Sequence, residues 1–161
     1  MCSKKSSKHQ YLEEKLAQRV ISKFLRNLAK IEKNQVNELE EAIEKLLKKE
    51  NELLGETRTV TDVLKTAKVP SNVLNRMDSE PGYYGPSLEA CIRIGLAIGC
   101  DAKGIDEILS ARGFARLSKG GGRKYRRYRI LVKAILSENE SPLEDRVTIF
   151  RQHYRVVIKH N

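Results

Sequence analysis

The sequence predicts an all-α protein, in which a long N-terminal helix or helical hairpin precedes a compact bundle of shorter helices. Apolar residues recur at helical spacings of three and four, and residues 11–54 contain neither glycine nor proline. Helix-start and helix-stop signals then follow one another along the rest of the chain. The 161 residues suffice for one domain plus an extension. We therefore divide the chain into an N-terminal long helical or coiled-coil segment, 1–56, and a domain with a C-terminal helical extension, 57–161.

The N-terminal segment carries two apolar stripes on a continuous helix that ends at Gly55. The first consists of Leu12, Leu16, Val20, Phe24, Leu28 and Ile31, and the second of Val36, Leu39, Ile43, Leu46 and Leu53. They are out of phase by about one residue near Asn34, which indicates a coiled-coil stutter or a break into two helices. Such a helix packs on its own domain or forms a homodimer. We favour the homodimer, because the chain offers little surface to cover so long a stripe.

The remaining predicted helices are delimited by caps and breakers. The stretch Thr59 to Asp62 is typical of a capped helix start, and Pro86-Ser87 and Ser141-Pro142 open two later helices. The expected spans are 59–67, 71–77, 86–98, 101–112, 123–139 and 141 onward, with loops at 78–85 and 118–122. The tail from Tyr154 to Asn161 fits a helix or a strand equally well.

The composition of the chain limits the classes of binding partner that we expect. The chain has 31 Lys and Arg against 21 Asp and Glu, and its net charge of +10 favours DNA, RNA or an anionic membrane surface. Cys2, Cys91 and Cys100 are scattered and odd in number, which fits a reducing cytoplasm and indicates neither a disulfide framework nor a zinc site. No apolar run reaches membrane-spanning length. We expect a cytoplasmic protein without cofactor, metal or membrane partner.

Catalytic signatures are missing from the sequence. It contains no nucleophile elbow, zinc-binding His-Glu-x-x-His or phosphate-binding loop, and the triple glycine 120–122 lacks the Lys-Ser/Thr that such a loop requires. The histidines His9, His153 and His160 lie near the termini without ligand spacing. Cys91 and Cys100 lie in apolar surroundings, where cysteine is usually a core residue. We therefore expect a non-enzymatic protein.

A pair of helices joined by a short turn is predicted between Val63 and Met77. Val73, Leu74 and Met77 share one face of the second helix at 100° per residue. The opposite face carries Ser71, Asn72, Asn75 and Arg76. Asparagine pairs bidentately with adenine and arginine with guanine, so this polar face is suited to reading base edges in a DNA major groove.

This region resembles the Cro/repressor (xenobiotic-response-element-like) family of helix-turn-helix bacterial transcriptional regulators. In that family a loop, a Pro-Ser pair and a helix ending in leucine- or isoleucine-glycine follow the recognition helix, and here Pro86-Ser87 and Ile98-Gly99 match them. The stretch from Ile108 to Ser118 is similar to the segment that follows the motif in one subgroup. The resemblance covers about Thr57 to Tyr154 and implies a compact helix-turn-helix bundle with extra C-terminal helices. The family usually has a small residue in place of Leu64 and glycine in place of Lys68.

A basic segment follows this motif. Residues 116–133 contain eight Lys or Arg and no acid, with Tyr125 and Tyr128 interleaved. Such a stripe can grip DNA phosphates without reading sequence, or it can be an ordinary solvated face. We assign phosphate-backbone contacts to Arg123, Lys124, Arg126, Arg127, Arg129 and Lys133.

Taken together, the sequence predicts a dimeric, sequence-specific regulator that binds double-stranded DNA. An alternative is a helical adaptor whose long helix engages a partner protein and which keeps the helix-turn-helix only as scaffold. RNA binding is a third possibility, since Tyr125 and Tyr128 could stack on bases, although no RNA-binding signature occurs.

Overall fold

A computed structural model shows an all-helical chain, as the sequence predicts. It describes residues 3–80, 82–138 and 140–159, with side chains for 13–31, 33–80, 82–138 and 140–154. The helices are α1 (Ser3–Leu54), α2 (Val60–Thr66), α3 (Val73–Ser79), α4 (Leu88–Ile98), α5 (Ala102–Ala111), α6 (Gly122–Ser137) and α7 (Leu143–Lys159). These residues contain no strand, and the tail that the sequence left undecided is helical as far as Lys159.

Helix α1 is continuous through the predicted phase change, so the alternative of a hairpin is wrong. The chain nevertheless forms two compact units, residues 1–34 and 35–161, whereas the sequence placed a boundary at residue 56. The difference arises because Leu39, Ile43 and Leu46 of α1 are buried in the core of the second unit. Leu53, which we assigned to the same stripe, lies in the last turn of α1 and is 69 % exposed.

The first unit is a helical segment whose described apolar side chains are exposed. All side chains described between residues 13 and 31 are exposed. They include seven large apolar ones with 37 to 64 % of their surface accessible: Leu16, Val20, Ile21, Phe24, Leu25, Leu28 and Ile31. At 100° per residue these seven span roughly half of the helix circumference. Leu12, the first member of the predicted stripe, lies outside the described side chains.

The second unit is built around α4. This helix is buried along nearly its whole length and packs against α2, α5 and α7. A Cβ atom on Gly95 would lie 2.7 Å from Ile105 Cγ1, so glycine is what allows α5 to approach this closely. Gly99 ends α4 in the left-handed conformation, with φ of 100°. The predicted stop of this helix is thereby confirmed.

The predicted helix starts at Thr59 and Asp101 have side-chain caps. The Thr59 side chain accepts a hydrogen bond from Asp62 N, and the Asp62 carboxylate accepts one from Thr59 N. Asp101 caps α5 by accepting from Gly104 N at 2.9 Å. Each bond satisfies a backbone donor that the first turn of a helix leaves without a partner.

Candidate nucleic-acid interface

Helices α2 and α3 are joined by a tight turn over residues 67–72. Val69 N donates to Leu64 O at 2.9 Å, and Val73 N donates to Pro70 O at 3.1 Å. The Val69 side chain is buried. Lys68 has φ of 55°, the only positive value at a described residue other than glycine. The turn therefore requires left-handed backbone at the position where the resembled family usually carries glycine.

Arg93 of α4 holds this turn in place. Its Nη1 donates to Ala67 O at 2.9 Å and to Lys68 O at 3.1 Å. These carbonyls end α2 and would otherwise depend on water. Sequence reasoning missed this role, because no local pattern links Arg93 to a turn 25 residues earlier along the chain.

Helix α3 presents its two sides as predicted. Val73 and Leu74 are buried, and Met77 packs beside Gly85. Ser71, Asn72 and Asn75 are exposed. The helix begins at Val73 and not at Ser71, because the backbone of Asn72 (φ −91°, ψ 9°) is not yet helical. Ser71 and Asn72 therefore lie in the turn before α3, and Asn75 and Arg76 lie on the helix.

Arg76 is engaged within its own chain. Its Nε lies 2.7 Å from Glu80 Oε2 and its Nη2 lies 3.2 Å from Glu80 Oε1. The guanidinium also stacks on Tyr83, 4.1 Å from the ring centroid. The hydrogen bonds from Arg76 lower the pKa of Glu80. The spacing of four between an Arg and a Glu on a helix could have predicted this pair, but the contact with Tyr83 depends on the loop that follows.

Glu89, in the first turn of α4, connects this helix to α6. It accepts a hydrogen bond from the Tyr128 hydroxyl, and Lys124 Nζ lies 2.9 Å from its Oε1. Burial opposes the charge of Glu89, but the hydrogen bonds from Tyr128 and Lys124 outweigh it and lower the pKa to about 2. Burial and the bond to Glu89 raise the pKa of Tyr128. The start of α6 is thus fixed beside the start of α4, which directly follows the loop containing Tyr83.

The basic residues of α6 fall into two groups. Arg123, Arg126 and Lys133 lie on the exposed face, and no ion pair is found for them among the described side chains. Ile130, on the same face, is 61 % exposed. The inner face carries the buried Tyr128, Val132 and Ile135, which recur at helical spacings of four and three.

The other basic residues of α6 have structural partners. Arg129 Nε donates to Leu117 O at 2.7 Å, and its Nη2 donates to Gly120 O at 3.0 Å. These bonds fasten the loop before α6 onto the helix. Lys124 is paired with Glu89, and Arg127 is half-buried and also has a partner. Among the described side chains, the exposed basic residues of α6 without an ion pair or a hydrogen bond to a carbonyl are thus Arg123, Arg126 and Lys133.

The described side chains include no group of three His, Cys, Asp or Glu arranged to hold a metal ion. Cys91 and Cys100 are buried free thiols, and burial raises the pKa of each to about 12. His153 is exposed, whereas Cys2, His9 and His160 lie outside the described side chains. No helix in the described part of the chain has the length and apolarity needed to cross a membrane.

Comparison with models of protein families, with curated proteins and with solved structures finds no match for this chain.

Proposed function

We propose that the chain is a sequence-specific, DNA-binding transcriptional regulator of the helix-turn-helix kind, which acts as a homodimer. The observation that carries this proposal is the short turn between α2 and α3, which leaves Asn75 exposed on a helix whose other side is buried. The left-handed Lys68 and the buried Val69 in that turn support the resemblance to the Cro/repressor family. In this assignment α3 enters the major groove and Ser71, Asn72, Asn75 and Arg76 face the bases.

Asn75 and Arg76 of α3 would recognise different bases. Asn75 can accept and donate at once to an adenine edge, and Arg76 can make a bidentate contact with guanine. For that contact Arg76 exchanges its bonds to Glu80 for bonds to the base. Since the Arg76–Glu80 pair is exposed, this exchange costs little.

Phosphate contacts would come from the exposed face of α6. Arg123, Arg126 and Lys133 have no ion pair among the described residues. Such contacts position a protein on the duplex and add affinity without reading sequence. The assignment of Lys124 and Arg129 to this role becomes weaker, because their side chains hold Glu89 and the loop carbonyls.

A second copy of the chain would cover the apolar face of the first unit. Within that face, Ala17, Ile21, Phe24, Leu28 and Ile31 follow one another at alternating spacings of four and three. This is the seam spacing of a left-handed coiled coil, in which each side chain inserts between four residues of the facing helix. A symmetric dimer would present two copies of α3 to two half-sites of an inverted repeat.

A non-catalytic adaptor is the second candidate. The observation that favours it is the same exposed apolar face, which could bind a helix of another protein as well as its own copy. In that role the α2–α3 pair would serve only as scaffold.

Selection from a pool of random duplex DNA at near-physiological salt tests the proposal. We expect enrichment of an inverted repeat with half-sites about one helical turn, or about 10 base pairs, apart. The variants Asn75→Ala and Arg76→Ala should each relax the preference at one position per half-site, at a cost of about 1–3 kcal/mol there. Asn37→Ala, an exposed asparagine on α1, is the matched control and should select the wild-type motif.

Retention of DNA without any enriched motif would refute sequence-specific readout. Identical motifs from wild type and from both α3 variants would refute the role given to α3. Absence of DNA retention, together with capture of a defined protein that Phe24→Asp abolishes, would favour the adaptor.

A further inference from the structure

The positive charge of the chain is concentrated in two segments. Residues 1–34 carry nine Lys and Arg against three Glu, and residues 116–133 carry eight against none. The rest of the chain has 14 Lys and Arg against 18 Asp and Glu. The DNA-binding role proposed above uses the charges of the second segment and assigns no function to those of the first.

Within the first unit the charges lie on one face of α1. Lys15, Arg19, Lys23, Arg26, Lys30 and Lys33 are all exposed and recur at spacings of three and four, and no acid occurs from Lys15 to Ile31. At 100° per residue these six occupy an arc of roughly 80°, centred opposite Leu28. We call this arc the α1 cationic face. It remains accessible when a partner covers the apolar face.

We propose that the α1 cationic face binds the phosphate backbone of double-stranded DNA, as a second surface that contributes affinity without sequence preference. From Lys15 to Lys33 the helix extends about 27 Å at 1.5 Å per residue. A duplex carries about 16 phosphate charges over that length, at one per 1.7 Å of axis. Release of counterions from those phosphates favours binding of a row of cations.

A lipid surface fits this helix less well. A helix lying in a bilayer interface must bury its whole apolar face among the acyl chains. Here Glu13 falls within the apolar arc, in line with Val20 and Phe24, so insertion would bring a carboxylate towards the hydrocarbon. The coiled-coil spacing from Ala17 to Ile31 instead favours a protein partner on the apolar face. Phosphate binding by the α1 cationic face does not involve the apolar face.

The proposal does not depend on base reading by α3, so the two can fail separately. Its test is the triple variant Lys23→Gln/Arg26→Gln/Lys30→Gln in the full chain, which leaves the apolar face unchanged. The matched control is Lys48→Gln/Lys49→Gln/Lys103→Gln, which removes three exposed positive charges from other surfaces. The probe is a random-sequence duplex of about 30 base pairs, roughly four times the 27 Å span of the α1 cationic face. Binding is measured by fluorescence anisotropy between about 50 and 200 mM salt.

Each phosphate contact contributes about 0.9 to the slope of log affinity against log salt, so the triple variant should lose about 2.7 from that slope. When the salt concentration is raised fourfold, the affinity of wild type should fall, and that of the triple variant should fall by a factor about 40 times smaller. The control should keep the wild-type slope, and Asn75→Ala should keep it as well. Circular dichroism and light scattering should show unchanged helicity and mass in the triple variant.

An unchanged slope in the triple variant would overturn the proposal. An equal loss in the control would also overturn it, because total charge and not this face would then set the affinity. If wild type instead bound phosphatidylserine vesicles through these residues and did not bind the duplex, the face would be a membrane-surface site.

Discussion

A substitution at Glu89 tests how much one partly buried charge contributes to the stability of the second unit. Its side chain is 17 % exposed, and its carboxylate joins α4 to α6 through Lys124 and Tyr128. The variant Glu89→Gln removes the charge but keeps an oxygen that can accept the hydrogen bond from Tyr128. The experiment therefore measures the contribution of the charge, with little change in shape.

The magnitude follows from the pKa of Glu89, which falls from an ordinary 4.5 to about 2 in the folded chain. One pKa unit corresponds to about 1.36 kcal/mol, which sets a ceiling of about 3.4 kcal/mol at neutral pH. Solvent screening of the partly exposed Lys124 pair reduces this, and we expect Glu89→Gln to lower the free energy of unfolding by about 2 kcal/mol at pH 7. The contribution is fully present above pH ~4.5 and is lost as the pH falls towards 2, because the unfolded chain then binds a proton that the folded chain does not.

Urea unfolding followed by circular dichroism, at pH 7 and at pH 3, measures this contribution. At pH 3 the difference between wild type and Glu89→Gln should be less than half of that at pH 7. The control Lys124→Gln keeps the Glu89 charge and removes only the exposed partner, so it should cost less than about 1 kcal/mol. Equal stability of wild type and Glu89→Gln at pH 7, or a difference that does not change with pH, would refute the reasoning.

Two further predictions concern the turn before α3 and the apolar face of α1. Lys68→Gly should raise the free energy of unfolding by up to about 1 kcal/mol, because glycine adopts the left-handed φ without steric cost, whereas Lys65→Gly inside α2 should lower it by about 1 kcal/mol; thermal unfolding compares the two, and a loss of stability in Lys68→Gly would contradict the assigned backbone conformation. Phe24→Asp should convert the proposed dimer to a monomer in light scattering, because it places a charge in the seam, while Ser22→Asp outside the seam should not. A Phe24→Asp protein that keeps the mass of a dimer would exclude this face as the interface.

Much of the fold could be predicted because its signals are local. Thr59, Asp101 and Gly99 act on the backbone within four residues of themselves, so a capping pattern is enough to place the helix ends. The inner face of α6 follows in the same way from periodicity alone. The boundary between the units could not be placed in this way, because the second stripe of α1 looks the same whether its own domain or a partner covers it.

The candidate interface was predicted less completely, because its side chains are held by residues distant in sequence. The carbonyls that Arg93 and Arg129 satisfy lie on other elements, and a run of basic residues does not reveal which of them have partners. Lys124 and Arg129 looked like Arg123 in the sequence, and only the packing of α6 separates them. The contact between Tyr83 and Arg76 could not be predicted either, because Tyr83 lies in a loop whose conformation the sequence does not determine.

The charge balance around α3 has a consequence for how such a protein would search DNA. From Ser71 to Glu80 the chain contains one Arg and two acids, Asp78 and Glu80, and the Arg is already neutralised by Glu80. This stretch is therefore not drawn to phosphates, and on DNA without a suitable base Arg76 would keep its intrachain partner. Non-specific attraction would come from α6 and from the first unit. Residence time on arbitrary DNA and discrimination between sequences would then reside in separate parts of the chain, so each could change through mutation without altering the other.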